Sequence, residues 1–163
     1  MKKEGIAIVP GSFDPITNGH LYIIKKAAAS FEKVYVAVMI NDQKQYMFTI
    51  EQREAIAKAC LSDIDNVTVI SSQGWLWELA RDLGAIAIVK GYRNEVDLEY
   101  ENKMAVFNEE HYPMAKTILI KAEDDIKALS STVVRKKLIS FEELDGLVPQ
   151  EAIDQIKKIT PKN

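Results

Sequence analysis

The stretch GIAIVPGSFDPITNGHLYIIKKAAASF, residues 5–31, contains the pattern of one complete βα unit. Its first six residues form a short apolar run of the kind that makes a buried strand. Residues 17–31 then place apolar side chains three to four positions apart, which predicts an amphipathic helix. A polar decapeptide, residues 11–20, joins the two patterns. The unit indicates a sheet whose neighbouring strands are parallel.

The same alternation continues along the rest of the chain. Four more runs rich in Val and Ile have the length of buried strands, at residues 33–40, 66–71, 85–90 and 116–121. Between them, Thr49 and Gln52 form a capping-box pattern, Gly84 suits a helix end, and Pro113 bars continuation of a helix over about residues 95–110. Short helices are expected after the fifth strand, with Pro149 opening the last. We therefore expect an α/β fold with a doubly wound, five-stranded, mostly parallel, Rossmann-like sheet and C-terminal helices.

Bulk properties narrow the class of protein. The 163 residues, 47% apolar and 28% charged, have no linker or repeat and predict a single domain spanning residues 1–163. A net charge of −3 argues against a general nucleic-acid binder. The apolar run before Pro10 is too short for a secretory signal, and no run approaches the roughly 20 residues of a membrane helix. We expect a cytoplasmic protein with no nucleic-acid or membrane partner, in which Cys60 packs in a helix.

The decapeptide GSFDPITNGH, residues 11–20, is the first candidate site. Ligands of doubly wound sheets bind beyond the carboxyl ends of the strands, where this loop lies. Gly11 allows a tight turn, and Gly19 leaves the first helical turn without bulk, so a phosphate could approach the free amides. His20 lies on the same helix face as Thr17. For a lone histidine, a capped helix with a partly buried ring is the competing interpretation.

Basic and hydroxyl side chains follow the other strands. Lys44 lies in NDQKQYMFTIEQR, residues 41–53, after strand two, and by itself would be a solvated surface lysine. After strand four, KGYRNEVDLEYENKM (residues 90–104) places Lys90 and Arg93 around a glycine, and we expect Asp97 on the solvated face of the helix that follows. After strand five, ALSSTVVRKK (residues 128–137) offers three hydroxyls of N-cap type followed by Arg135, which favours a second anion-binding helix end.

Together these four motifs resemble, in order and spacing, the T/H-x-G-H nucleotidyltransferase superfamily, with Thr17 to His20 as the core motif. Thr at the first position is similar to phosphopantetheine adenylyltransferases, whereas nicotinate mononucleotide adenylyltransferases usually carry His there. The resemblance implies transfer of the adenylyl group of ATP to 4′-phosphopantetheine, giving dephospho-CoA and pyrophosphate in coenzyme A biosynthesis. It also implies ATP and 4′-phosphopantetheine as partners, a homohexamer, and Mg²⁺ carried by ATP without protein metal ligands.

The resemblance also implies roles for individual residues. Two are implied to be catalytic, His20 and Lys44. Acceptor binding is implied for Ser12, Lys44, Leu76 and Lys90, with an apolar core position as the competing account of Leu76. ATP binding is implied for Ser12, Phe13, His20, Gly91, Tyr92, Arg93, Glu101, Ile126, Lys127, Ala128, Leu129, Ser130, Ser131 and Thr132. The chain departs from the family pattern at Lys90, where Arg is usual, and at Leu98, where Phe is usual. Trp75 and Trp77 receive no role.

Other functions remain open at this level. The acceptor could be another phosphorylated molecule, such as nicotinamide mononucleotide or glycerol 3-phosphate, although Thr17 and the segment from Lys90 to Glu101 argue against these. The chain could also be a non-catalytic ATP-binding module, against which His20 and Lys44 weigh. No Ser-His-Asp set is present, and Cys60 lies away from the candidate loops. The resemblance implies direct in-line attack by the acceptor phosphate on the α-phosphorus of ATP.

Overall fold

A computed structural model describes residues 3–41, 44–122, 131–140, 144 and 146–159. Five strands and six helices alternate through this part of the chain. The strands are β1 (Lys3–Gly11), β2 (Phe31–Ile40), β3 (Val67–Gln73), β4 (Ala87–Tyr92) and β5 (Lys116–Lys121). The helices are α1 (Asn18–Ser30), α2 (Ile50–Leu61), α3 (Leu76–Leu83), α4 (Glu95–His111), α5 (Ser131–Ile139) and α6 (Gln150–Ile159).

The five strands form one parallel sheet in the order β3-β2-β1-β4-β5. The chain builds β2 and β3 on one side of β1 and then crosses to build β4 and β5 on the other side. This confirms the predicted fold class, and it places the reversal of strand order between β1 and β4. Those two strands pair only at Ala7↔Ala87 and Ile8↔Ile88. Their carboxyl ends therefore diverge, which is where a doubly wound sheet binds ligands.

Helices cover both faces of the sheet because successive residues of the central strand point to opposite sides. Ala7 and Val9 of β1 belong to the larger core, which includes buried side chains of α1, α2 and α6. Ile8 belongs to a smaller core with residues of α3 and the turn after α4. All three positions on β1 are almost completely buried, so this part of the strand is a continuous apolar run.

Predicted helix signals are confirmed by the geometry. Thr49 and Gln52 form the reciprocal capping box at the start of α2, with hydrogen bonds of 3.0 and 3.1 Å. Gly84 ends α3 in the left-handed conformation, with φ of 68°. Helix α4 ends at His111, two residues before Pro113. Cys60 is buried on α2, and burial followed by the charge of Glu151 raises the pKa of its thiol to about 12, as suits a packing residue.

Some boundaries were predicted wrongly. Strand β4 extends to Tyr92, not to residue 90, because it pairs with β5 as far as Tyr92↔Lys121. Lys90 and Gly91 are consequently strand residues rather than loop residues. Trp75 is the N-cap of α3. The short helix expected near residues 141–144 and the proposed cap Ser130 fall largely outside the described residues. Among the described residues, no helix combines the length and apolar character needed to cross a bilayer.

Candidate active site

Two adjoining cavities open where the carboxyl ends of β1 and β4 diverge. The first has a volume of about 520 Å³ and lies between the loop after β1, the first turn of α1, the end of β4 and the start of α4. The second, of about 670 Å³, extends toward the loop after β2 and the start of α3. Their shared lining residues are Pro10, Gly11, Ser12, Lys44 and Lys90. The two volumes therefore form one continuous site with two compartments.

Most of the residues predicted for the site line these compartments. The first is lined by Ser12, Phe13, His20, Lys44, Lys90, Gly91, Tyr92, Arg93, Glu101, Ser131 and Thr132. The second is lined by Ser12, Lys44, Leu76 and Lys90. The remaining predicted positions, Ile126, Lys127, Ala128, Leu129 and Ser130, lie outside the described residues.

His20 is held by a capping box at the start of α1. The backbone N–H of Thr17 donates to His20 Nδ1 at 3.0 Å, and the His20 N–H donates to Thr17 Oγ1 at 3.4 Å. A ring nitrogen that accepts a hydrogen bond carries no proton, so the proton of the neutral ring resides on Nε2. Burial, followed by the charge of Arg93, lowers the pKa of His20 to about 4. At neutral pH His20 is thus an uncharged Nε2–H donor in the first compartment.

Phe13 supports this histidine. The Phe13 ring is buried and packs edge-on to the His20 ring, with 5.0 Å between ring centres. The backbone of Phe13 has φ of 48°, a left-handed conformation that is uncommon for an aromatic residue. The loop between β1 and α1 is therefore a tightly specified turn in which the side chain of Phe13 is part of the packing.

Asp14 anchors the loop between β1 and α1. Its buried carboxylate accepts the N–H of Met47 at 2.9 Å and the N–H of Phe48 at 3.0 Å. Arg135 of α5 donates to the Asp14 carbonyl at 2.9 Å, and Ser131 Oγ donates to the Pro15 carbonyl at 3.0 Å. The loop after β1 is thereby tied both to the segment after β2 and to the start of α5.

The first turn of α1 offers fewer free amides than the sequence suggested. The backbone N–H of Asn18 donates to the Leu147 carbonyl at 3.0 Å, and Asn18 Nδ2 donates to the Gly146 carbonyl at 3.0 Å. Gly19 lines the first compartment, and its N–H has no acceptor among the described residues. This helix-terminal amide and the positive end of the helix dipole therefore favour an anion at this end of α1.

Lys90 and Glu101 form an ion pair at the boundary of the compartments. Lys90 Nζ lies 2.5 Å from a carboxylate oxygen of Glu101, and both side chains are largely buried. Lys90 lines both compartments, whereas Glu101 lines the first. The resemblance implied an ATP contact for Glu101, and the structure adds a second partner for this carboxylate. Glu101 fixes where the Lys90 charge resides.

Arg93 has a carboxylate partner that the sequence reasoning missed. Its Nε donates to Asp97 Oδ2 at 2.9 Å, and its backbone N–H donates to the same oxygen at 3.1 Å. The side-chain hydrogen bond from Arg93 lowers the pKa of Asp97. Asp97 is partly exposed, as expected for the solvated face of α4, but it also lines the first compartment. The signal was present, because residues 93 and 97 have the i, i+4 spacing of an ion pair.

The second compartment has a largely apolar outer wall. Leu76 is half-buried, lines this compartment and also packs against the smaller core. Its role in acceptor binding stays a prediction. Trp75 lies beside it, half exposed, with its ring 5.4 Å from that of Phe107 on α4. Trp77 instead stacks on His111 outside the cavity, at 5.1 Å. This wall suits a ligand with an extended, weakly polar arm.

The donors around the first compartment do not form a metal cage. Its carboxylates, Asp97 and Glu101, are paired with Arg93 and Lys90. Within the described ranges, no three His, Cys, Asp or Glu side chains come together as potential metal ligands. A compartment with this balance of charge suits a polyphosphate that brings its own cation.

Comparison with known proteins agrees with this geometry. The model of the cytidylyltransferase-like family matches residues 8–137. The chain is 38% identical over 159 residues to a phosphopantetheine adenylyltransferase of Streptococcus equi subsp. zooepidemicus, covering 97% of this chain and 96% of that protein. The chain belongs to the phosphopantetheine adenylyltransferase family. A second family member, the phosphopantetheine adenylyltransferase of Streptococcus pyogenes serotype M5, is 37% identical over 158 residues, with 96% and 97% covered. The family membership that the four motifs suggested is thus confirmed, and the similarity extends over nearly the whole chain.

Proposed function

We propose that this chain transfers the adenylyl group of ATP to 4′-phosphopantetheine, releasing pyrophosphate and forming dephospho-CoA for coenzyme A biosynthesis. The observation that carries the proposal is the continuity of the two compartments through Ser12, Lys44 and Lys90. The first compartment gathers phosphate-binding groups, and the second has an apolar wall for a pantetheine arm. A phosphate of the acceptor at their junction meets the triphosphate of ATP.

The reaction needs little acid–base chemistry. An oxygen of the acceptor phosphate attacks the α-phosphorus of ATP, the bond from that phosphorus to the bridging oxygen breaks, and pyrophosphate leaves with its electron pair. A phosphate is already ionised at neutral pH, so positioning and charge stabilisation supply the catalysis. The uncharged His20 suits this role, because its Nε2–H can donate to an α-phosphate oxygen without acting as an acid.

The basic side chains bind different phosphates in this proposal. We assign Lys44 to the phosphates of the reacting pair and Lys90 to the acceptor phosphate, as their shared position at the junction suggests. Ser12 would orient the attacking phosphate. Arg93, oriented by Asp97, would hold the departing pyrophosphate together with Ser131 and Thr132 at the start of α5.

We further propose that Mg²⁺ reaches the site on ATP and neutralises charge on the triphosphate oxygens. Asp97 and Glu101 are already paired with cations, so the donor set of the first compartment fits a metal held mainly by ATP and water. His20, Lys44 and Arg93 would stabilise the remaining negative charge of the phosphates.

Self-association as a homohexamer in the cytoplasm completes the proposal. Its support is a set of large apolar side chains exposed along α4, the turn after it and the edge strand β5: Val96, Tyr100, Val106, Met114 and Ile118. Exposed apolar surface of this kind is typical of a protein–protein contact. Light scattering coupled to size exclusion tests the assembly, and a monomer at micromolar concentration would contradict it.

The acceptor assignment is tested with a panel of three compounds. Pyrophosphate release should require ATP with 4′-phosphopantetheine, and pantetheine without its phosphate should be inert because it lacks the nucleophile. Nicotinamide mononucleotide should be used at least about 10³-fold less efficiently, since its ring cannot replace contacts along the pantetheine arm. Equal use of both phosphorylated acceptors would contradict the acceptor assignment. ATP binding without turnover of any acceptor would indicate a non-catalytic module.

A further inference from the structure

Arg53 on α2 is a buried cation outside both compartments. Its side chain is 2% exposed, and the guanidinium carbon lies 3.8 Å from the centre of the Tyr46 ring. No carboxylate lies within ion-pair distance of it in the part of the chain that the structure describes. Burying an unpaired guanidinium is costly, so its hydrogen bonds must serve a strongly determined arrangement.

Those hydrogen bonds go to the backbone of two site segments. Arg53 Nη1 donates to the Ser12 carbonyl at 2.9 Å and to the Met39 carbonyl at 3.2 Å. Ser12 opens the loop after β1, and Met39 lies at the carboxyl end of β2. Tyr46, against which the guanidinium stacks, belongs to the segment after β2 and lines the second compartment. One side chain thus connects three backbone segments that surround the site.

The contact with Ser12 also fixes the direction of a neighbouring amide. The C=O and N–H of a trans peptide point in opposite directions. Because the Ser12 carbonyl is directed to Arg53, the N–H of Phe13 is directed away from Arg53, and both Ser12 and Phe13 line the first compartment. No described group accepts this N–H. The left-handed φ of 48° at Phe13 is a conformation that persists only where the surroundings enforce it.

We propose that Arg53 is a positioning residue that holds the Ser12–Phe13 peptide so that the Phe13 N–H donates to a phosphate of the bound nucleotide. The identity of that nucleotide as the adenylyl donor rests on the proposed function. The contact between the amide and a phosphate does not, because it requires only that the compartment binds a polyphosphate.

The Phe13 amide can be observed directly by NMR. The chain contains five phenylalanines, so labelling with ¹⁵N-phenylalanine gives five amide resonances, and Phe13→Leu identifies the one of interest. Titration with inorganic pyrophosphate should move the Phe13 resonance in a saturable manner in the wild-type protein. In Arg53→Met, which keeps the apolar stem without the donors, we expect the shift to fall at least fivefold.

Two further variants control for effects on packing and folding. Ile56→Val lies one turn further along α2, is fully buried, and reports the effect of weaker helix packing alone, so it should leave the Phe13 response intact. If Arg53→Met does not fold, Arg53→Lys is used instead. Lysine keeps the charge but replaces the planar guanidinium with a single ammonium, so at least half of the Phe13 shift on pyrophosphate titration should be lost. An unresponsive Phe13 amide in the wild type, or a full response in a folded Arg53 variant, overturns the proposal.

Turnover separates this inference from the proposed function. With ATP and 4′-phosphopantetheine, Arg53→Met should lower kcat by about 10²-fold, as expected for loss of one preorganised backbone donor, and should change the KM for ATP less. It should also reduce the discrimination between the two diastereomers of ATP carrying sulfur on the α-phosphate. If the wild type shows the NMR response but no turnover, the proposed function fails while the role of Arg53 stands. An unchanged kcat in folded Arg53→Met contradicts that role.

Discussion

Glu101 holds the ammonium of Lys90 at 2.5 Å, at the boundary between the two compartments. Both side chains are largely buried, so solvent screens this pair less than a surface ion pair. Family members usually have arginine where this chain has Lys90. A lysine offers a point charge instead of a planar fork, and here Glu101 is the partner of that charge.

Removing this charge should weaken acceptor binding selectively. We expect Lys90→Ala to raise the KM for 4′-phosphopantetheine by about 10- to 100-fold, corresponding to roughly 1.5–3 kcal/mol for a hydrogen bond to a charged group, with much less change in the KM for ATP. Lys90→Met should behave like alanine, and Lys90→Arg should retain most activity. The control is Lys103→Ala, whose partner Glu99 lies 3.8 Å away on the exposed face of α4. Steady-state kinetics within twofold of wild type for Lys90→Ala would show that Lys90 does not bind the acceptor.

His20 should act on the transition state. We expect His20→Ala to lower kcat by about 10²-fold or more, with little change in the Kd of ATP, because its Nε2–H is placed for charge that develops during the reaction. Single-turnover kinetics and ATP binding by calorimetry separate the two effects. A loss confined to binding would assign His20 to the ground state.

Acid should destabilise the protein through the same histidine. The pKa of His20 falls from 6.5 to about 4 on folding, so between these values the unfolded chain binds a proton that the folded chain does not. Stability should therefore be complete above pH 6.5 and decrease as the pH falls toward 4, by at most about 3 kcal/mol from this group. Denaturant melts across this range should show a shallower pH dependence in His20→Gln. Equal slopes in both proteins would mean that His20 protonates normally in the folded state.

Arg93 should depend on Asp97 for its orientation. Asp97→Asn removes the charge that Arg93 contacts through both its side chain and its backbone N–H. We expect the KM for ATP to rise about three- to tenfold, in keeping with one partly exposed charged contact. Glu99→Gln, two residues further along α4 and exposed, is the matched control. If both variants leave the KM for ATP unchanged, the Arg93–Asp97 pair has no part in nucleotide binding.

The sequence was sufficient to predict the sheet and its helices, and the described residues that it proposed for the site line the two cavities. Strand runs, capping pairs such as Thr49 with Gln52, and the left-handed Gly84 are local signals, and local signals specify elements well. The extension of β4 to Tyr92 was missed because it depends on pairing with β5, which sequence pattern does not reveal. Boundaries of elements are set by such tertiary contacts.

The supporting contacts of the site could not be predicted in the same way. The hydrogen bonds of Asp14 join positions about thirty residues apart, to Met47 and Phe48, and those of Arg53 reach Ser12 and Met39. No spacing rule links such positions. The partner of Lys90 was likewise hidden, because Glu101 lies on a helix with several exposed acidic residues, Glu95, Glu99 and Glu110. Motifs therefore identified the residues that face the ligand better than those that hold them in place.

The account is tested most directly by following the α-phosphate of ATP. The purified wild-type chain is mixed with ATP labelled with ³²P at the α position, Mg²⁺ and 4′-phosphopantetheine, and the products are separated. We predict that the label appears in dephospho-CoA, in equimolar amount with unlabelled pyrophosphate, and that no labelled product forms without the acceptor. Label that remains in ATP, or that is released as AMP regardless of the acceptor, would contradict adenylyl transfer to 4′-phosphopantetheine.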